Sequence, residues 1–438
     1  MRSILTSLWA YVIAGLLAFY VLLYVFLDLP SRLEDIPVVN PLRTLLGALA
    51  AGLITAQALV FTITLVAAQL NARYTHRMVT RVFTWPTALY MGLFVGSSVY
   101  SMVVLAALST RPSDFVIHLP VGRPIHPVTV AVALGGTCLV LLVPYLWSFR
   151  TRLDPERMAL DEGRRASARL KAGAATEPRE VIALDNITMS AFGYKDYDTF
   201  ATGVQALARV GLDAWQLSRA DAGKSIFRRL AHVGVATVDD PRAPFQVVDA
   251  LAGTGSALVE RKMHEAARQA AVAMSDIAEA AVERSQASAI GLVVFSLSAL
   301  GSQAAELGLV ATAEETAYSL GYLGAQTSQR GLADSTRQVA SSLRRVGTQA
   351  AKYQLDLVVR QALISLWSLG ALTSQHLPEC DDVVAAELEM LELVVDPELA
   401  ASSYLSTPRS PNLEDFRIRY LAAAKPNGAI DDSGQADS

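Results

Sequence analysis

Cysteine is almost missing from this sequence. Cys138 and Cys380 are the only two in 438 residues, and no CxxC occurs, so neither a disulfide framework nor a zinc ribbon is available. Charge is also scarce, at 18% of residues, and the net charge of −4 provides no basic field for nucleic acid. No P-loop, HExxH, GxSxG or EF-hand string is present. The histidines His76, His118, His126, His232, His264 and His376 are scattered. His264, between Glu260 and Glu265, reads as part of a solvated helix face. These absences lead to the expectation of no catalytic residues, no metal, no cofactor and no nucleic-acid partner. The chain is not expected to be an enzyme.

Apolar residues are abundant, at 52% of the chain with a mean hydropathy of +0.33. Four stretches contain no Asp, Glu, Lys or Arg: Ser3–Leu27, Thr44–Ala72, Val82–Thr110 and Pro124–Phe149. A membrane-spanning helix needs about 20 such residues. The first stretch is too long for a signal peptide and lacks a small-x-small cleavage site, so it is expected to be retained. Arg73, Arg77 and Arg81 follow the second stretch, and Arg150, Arg152, Arg157, Arg164 and Arg165 follow the fourth. The other two loops are poorer in net positive charge, which places both termini in the cytoplasm. Trp9, Trp85 and Trp147 lie near span ends, where aromatic belts sit. Gly92/Gly96, Gly47/Ala51 and Ala48/Gly52 are small pairs at the spacing that allows close helix crossings.

Span 2 carries two lines of polar residues at heptad spacing: Thr55, Thr62 and Gln69, and Gln57, Thr64 and Asn71. Their offset of two residues turns about 200° on a helix, so the lines face nearly opposite ways. This makes span 2 the candidate central helix and its polar residues candidates for lining a pore. The alternative is that the Thr hydroxyls bond their own i−4 carbonyls. The following "NARYTHRMVTR" extends the helical pattern, so a helix from Leu42 to Arg81 would run about 60 Å, roughly twice the hydrocarbon core.

The run "ALVFTITLVAAQLNARYTHRMVTRVF" through "LYMGLFVGSSVYSMVVL" resembles the second and third spans of a bacterial family of predicted membrane proteins, domain of unknown function 2254. The resemblance covers about 50 residues well and the remainder by order of elements. It implies four spans in a bacterial inner membrane and a cytoplasmic domain, with no known activity. His76-Arg77 stands where the family usually has Pro-Arg. "SAFGYKDYDTF" stands where it usually has an "ALSPGINDP"-like loop.

Beyond Arg150 good helix formers dominate and no useful alternating pattern appears. A phrase recurs: "LARVG" ending at Gly211, "LAHVG" at Gly234, "LAGTG" at Gly255, "MSDIA" at Ala278, "LSALG" at Gly301, "LGYLG" at Gly324, "LRRVG" at Gly347 and "LWSLG" at Gly370. The period is about 23 residues, one helix and a turn, and two units are close to an armadillo-like hairpin. The residue four before the Gly, the one just before it and the Gly share a helical face. Gly in a helix costs about 1 kcal/mol against Ala, so its recurrence suggests close crossings. Breakers often follow seven residues later, as at Pro241, Gly308 and Gly331. Either an open array or a closed bundle satisfies this pattern.

The expected fold is therefore all-α, with four transmembrane helices followed by a cytoplasmic helical repeat or bundle. Its parts are 1–150 (membrane), 151–198 (linker helices and a polar turn), 199–398 (repeats) and 399–438 (C-terminal segment with a disordered acidic tail). The polar turn holds the candidate ligand or partner contacts Tyr194, Lys195, Asp196 and Asp198, unless Asp198 merely caps the helix beginning at Thr199. The functional expectation is an oligomeric channel-like protein for a passive solute or ion. The alternative is a membrane-anchored scaffold or sensor binding partners through its repeats. Expected partners are membrane lipid, further copies of the chain and a cytoplasmic protein.

Overall fold

A computed structural model describes residues 2–27, 41–72, 85–110, 117–118, 124–152, 154–174, 176–408 and 410–424. The expected helical stalk at 73–81 and the tail beyond 424 lie outside these residues. The chain divides into two compact units, residues 1–158 and 159–438. Among the described residues the fold is all-α apart from one antiparallel pair of two-residue strands, β1 (Ile117–His118) and β2 (Pro124–Ile125).

The first unit contains α1 (Arg2–Val25), α2 (Pro41–Ala72), α3 (Trp85–Thr110) and α4 (Pro127–Arg152). At 1.5 Å per residue the 32 residues of α2 extend about 48 Å, still well beyond a bilayer core. The central helix is α4, which packs on α1, α2 and α3. This corrects the expectation that span 2 is central. Its physical cause is a glycine pair that sequence spacing did not single out. A Cβ at Gly135 would lie 2.9 Å from Leu49 Cδ1, and one at Gly136 would lie 3.0 Å from Leu22 Cδ1, so both neighbours approach the α4 backbone closely. By contrast, no atom comes within 4 Å of a Cβ placed at Gly47, Gly52, Gly92 or Gly96. Leu53, Val60, Tyr90, Phe94, Cys138, Leu141 and Tyr145 form one apolar cluster. Arg43 donates from Nη2 to the Leu108 carbonyl at 2.7 Å, tying the start of α2 to the last turn of α3.

The second unit is built on α5 (Pro155–Lys171), whose first residues precede the boundary, and α6 (Arg179–Gly193). The repeats are α7 (Tyr197–Gln216), α8 (Ala220–Ala236), α9 (Ala243–Glu260), α10 (His264–Glu283), α11 (Ala287–Glu306), α12 (Val310–Gln329), α13 (Ala333–Lys352) and α14 (Asp356–His376). A short 3-10 turn leads to α15 (Asp381–Glu392), α16 (Pro397–Ser406) and α17 (Pro411–Ala424). From α7 to α14 each helix packs on the next and on the next but one. Odd and even helices thus make two layers, and the stacking is linear, as in an open solenoid.

The repeating phrase explains this packing. The residues four before each phrase end, namely Leu207, Leu230, Leu251, Met274, Leu297, Leu320, Leu343 and Leu366, have no exposed surface. The glycines are crossing points. The apolar residue before the Gly in one phrase covers the Gly two repeats earlier. A Cβ at Gly255 would lie 3.2 Å from Leu300, one at Gly301 3.1 Å from Val346, and one at Gly324 3.2 Å from Leu369.

The turns repeat as well. Lys195, Ser218, Lys262, Ser285, Gly308, Gly331 and Gln354 all have positive φ, between 55° and 74°. At each, two backbone N–H groups return to the preceding helix, as in Ser218 to Trp215 O and Arg219 to Ala214 O, both 2.9 Å. This is the Schellman closure of a helix end. The turn between α8 and α9 departs from it, and Asp240 Oδ1 accepts there from the N–H groups of Arg242 and Ala243.

Five described helical segments are long and apolar enough to cross a membrane: Pro41–Val66, Ala88–Leu108, Pro127–Trp147, Ala287–Glu306 and Asp356–His376. The last two are α11 and α14, and more than half of each apolar window is buried within the chain. A helix that is apolar all round is expected at the centre of such an array.

Candidate functional site

The two polar lines of α2 separate as their 200° offset requires. Thr55, Thr62 and Gln69 lie exposed on the outer side, among Leu59, Phe61, Ile63 and Val66. The Thr55 and Thr62 hydroxyls donate to the carbonyls of Ala51 (2.9 Å) and Ala58 (2.8 Å), so each is satisfied within its own helix. On the opposite side Gln57 is half-buried and Thr64 is buried. Thr64 donates to Val60 O at 2.7 Å and lies 3.3 Å from the Tyr145 hydroxyl. The side chain of Asn71 lies outside the described residues.

Polarity inside the first unit is concentrated elsewhere. Tyr145 stacks on Tyr90 with ring centroids 4.4 Å apart, and the Tyr90 hydroxyl donates to Cys138 O at 3.2 Å. Ser97, Ser98, Ser101, Thr129 and Thr137 are buried on α3 and α4. Sequence reading passed over them, although Ser97/Ser101 and Thr129/Thr137 recur at helical spacing.

The Tyr194–Asp198 turn is the first member of the repeating series of turns. Lys195 occupies the left-handed position that Ser218 and Gly308 occupy later. Asp196, not Asp198, caps α7, its Oδ1 accepting from the Thr199 N–H at 3.2 Å. Asp198 is exposed in the first turn of α7, where a carboxylate suits the helix dipole. Tyr194 and Lys195 are exposed. The signal missed in the sequence was the phase: Thr188 stands 23 residues before Gly211, so the period begins one unit earlier than the phrase.

Next to this turn Tyr197 donates to Asp240 Oδ2 at 2.6 Å, and the Arg242 guanidinium lies 5.5 Å from the centre of its ring. Partial burial works against the Asp240 carboxylate, but the Tyr197 hydroxyl and the two backbone N–H groups outweigh it and hold its pKa below the usual range. The same hydrogen bond raises Tyr197. Further along, Arg229 bridges Glu177 and Asp185, and burial pushes the Asp185 carboxyl up against the pull of Arg229. Ion pairs of this kind step from one repeat to the next but one, as in Arg268–Glu315 (3.2 Å), Arg284–Asp239 (2.8 Å) and Arg344–Glu387. They read as a polar lacing of the array. Among the described residues no group of three or more His, Cys, Asp or Glu could hold a metal ion.

No curated protein matches the chain. A solved structure described as "Circular tandem repeat protein with novel repeat topology and enhanced subunit contact surfaces" is similar at 11% identity, covering 93% of this chain and 97% of that one, with a TM-score of 0.36. Residues 5–190, which take in all four apolar helices of the first unit together with α5 and most of α6, match the model of the family described as "Predicted membrane protein (DUF2254)", the same family that the α2–α3 residues resemble.

Proposed function

We propose that the protein is a membrane-anchored scaffold. In this reading α1–α4 cross the bacterial inner membrane with both termini in the cytoplasm, and the helical array binds a cytoplasmic protein. The observation that carries it is a pair of exposed aromatic side chains on the odd layer of the array. Phe245 on α9 is 54% exposed and Phe295 on α11 is 64% exposed, with Leu292 half-buried beside Phe295 in the same helix. Large aromatic side chains held rigidly on a stacked helical surface are the usual anchors of protein recognition. A photo-cross-linking amino acid at position 295 of the full chain, activated in cells, is expected to yield one discrete protein adduct. The same probe at exposed Gln329 is expected to yield much less. Adducts with lipid alone, or none at all, would count against the scaffold.

A second reading has one specific observation in its favour. Thr55, Thr62 and Gln69 form a polar line on the outer side of α2, where a symmetry axis would make them line a shared pore. The Thr55 and Thr62 hydroxyls are already bonded to their own backbone, so lipid can cover these two without an unpaired donor. That favours an anchor over a pore.

A further inference from the structure

The two ends of the helical array differ in character. At the N-terminal end α5 buries Ala159, Ala166 and Leu170, and a Cβ at Gly163 would lie 3.1 Å from Ala206 on α7. Its other side is open, with Leu160 43% exposed and the Arg164 side chain 80% exposed. On α6, Ile182 is also exposed. Five residues of Pro155–Lys171 are basic and three are acidic, and α6 adds one basic and two acidic, of which Glu180 pairs with Arg169.

At the C-terminal end the balance is reversed. From 361 to 424 the chain has ten Asp or Glu against three Arg, of which Arg419 already pairs with Asp381. Asp382, Glu389 and Glu398 are exposed there. Beside them Met390, Leu393 and Val394 are exposed, Leu393 at 78%. Leu393 directly follows α15, whose buried Leu391 makes the crossing against Gly347, so the exposed group lies just past that crossing. A solenoid stays soluble by presenting a polar face on its terminal repeats. Here α17 covers α14, with Phe416 against Gly370, and the group Met390, Leu393 and Val394 is the apolar surface left exposed beside it.

We propose that the C-terminal end of the array docks on the N-terminal end of a second copy of the chain. Met390, Leu393 and Val394 would meet Leu160 and Ile182, and Asp382 and Glu389 would meet Arg164 and its basic neighbours. A lipid surface could satisfy the basic end but not the acidic one, whereas a second copy satisfies both. The Arg164–Asp161 pair at 3.8 Å is exposed, so it is weak enough to exchange partners. The contact is head-to-tail, so it propagates into a ring or a filament. It does not depend on whether the membrane helices anchor or conduct.

The test is the mass of the full chain in detergent, measured by light scattering with the detergent contribution subtracted. At low salt a multiple of 46.9 kDa is expected, falling towards one copy at high salt. Arg164→Glu and Glu389→Arg are each expected to weaken association about tenfold. The two changes in one chain restore it, since the reversed ends again match. That rescue separates docking from misfolding, and an unchanged helical circular-dichroism spectrum checks each variant. A single copy at low salt overturns the proposal, as does an oligomer that neither reversal weakens. If Arg164→Glu alters only association with anionic-lipid nanodiscs, the basic end is a lipid contact and the proposal falls.

Discussion

Gly301→Leu is expected to destabilise the helical array by about 3 kcal/mol, whereas Gly253→Ala should stabilise it by up to about 1 kcal/mol. Both glycines lie inside helices of the array, so propensity alone would favour substitution at both. The surroundings reverse the sign at Gly301. A Cβ there would lie 2.2 Å from Thr316 Oγ1 on α12 and 3.1 Å from Val346 on α13, so a larger side chain must push apart the two helices stacked on α11. Such a close-packed interior cannot absorb that volume without strain. At Gly253 nothing lies within 4 Å and the residue is exposed. Thermal unfolding followed by circular dichroism measures both. Equal shifts of one sign would mean that the recurring glycines are not crossing points.

Phe416→Ala is expected to cost about 3–5 kcal/mol and to release α17 from the end of the array. Phe416 is 1% exposed, and a Cβ at Gly370 would lie 2.2 Å from its Cε1. It therefore fills at α14 the place that Leu369 fills over Gly324. Its ring packs edge-on against Trp367 at 5.8 Å, within an aromatic group that includes Tyr404 and Tyr420. The Tyr420 hydroxyl donates to Glu392 Oε2 at 2.7 Å, and Arg419 pairs with Asp381. Losing the ring leaves those polar contacts without an apolar base. Hydrogen exchange should then accelerate in 411–424 while α9–α12 keep their protection. Ile418→Ala, at a residue 63% exposed on the same helix, should change stability by no more than about 0.5 kcal/mol. A similar small effect from Phe416→Ala would show that α17 is not a cap.

The array was largely legible in the sequence because one physical constraint recurs in it. A residue that must lie flat under a crossing helix has to be small, so glycine returns every 23 residues with a buried Leu or Met four places before it. The turns were only half legible. Gly308 and Gly331 announce a left-handed position, but Lys195, Ser218, Lys262, Ser285 and Gln354 adopt it without any residue-type signal. For that reason the Lys195 turn looked special and proved to be one of a series. The packing of α17 was hidden because "TPRSPN" reads as a polar break, and only the placement of Phe416 over Gly370 shows why a helix follows it. In the first unit, Gly92/Gly96 drew attention by motif while Gly135 and Gly136 make the crossings. A pair spacing does not reveal which face of a helix a neighbour will occupy.

The reading of the first unit as an anchor rests on the outer line of α2, and one measurement bears on it most directly. Thr55, Thr62 and Gln69 would each be replaced by cysteine in a chain carrying Cys138→Ser and Cys380→Ser, with the protein in its native membrane. Each variant would be exposed to a charged, water-soluble maleimide and then to a membrane-permeant one. The anchor predicts that positions 55 and 62 stay unlabelled by the charged reagent, because lipid or a neighbouring helix covers them and keeps the thiol from ionising. Reaction of 55, 62 and 69 alike with the water-soluble reagent would place water along the whole line and contradict the account.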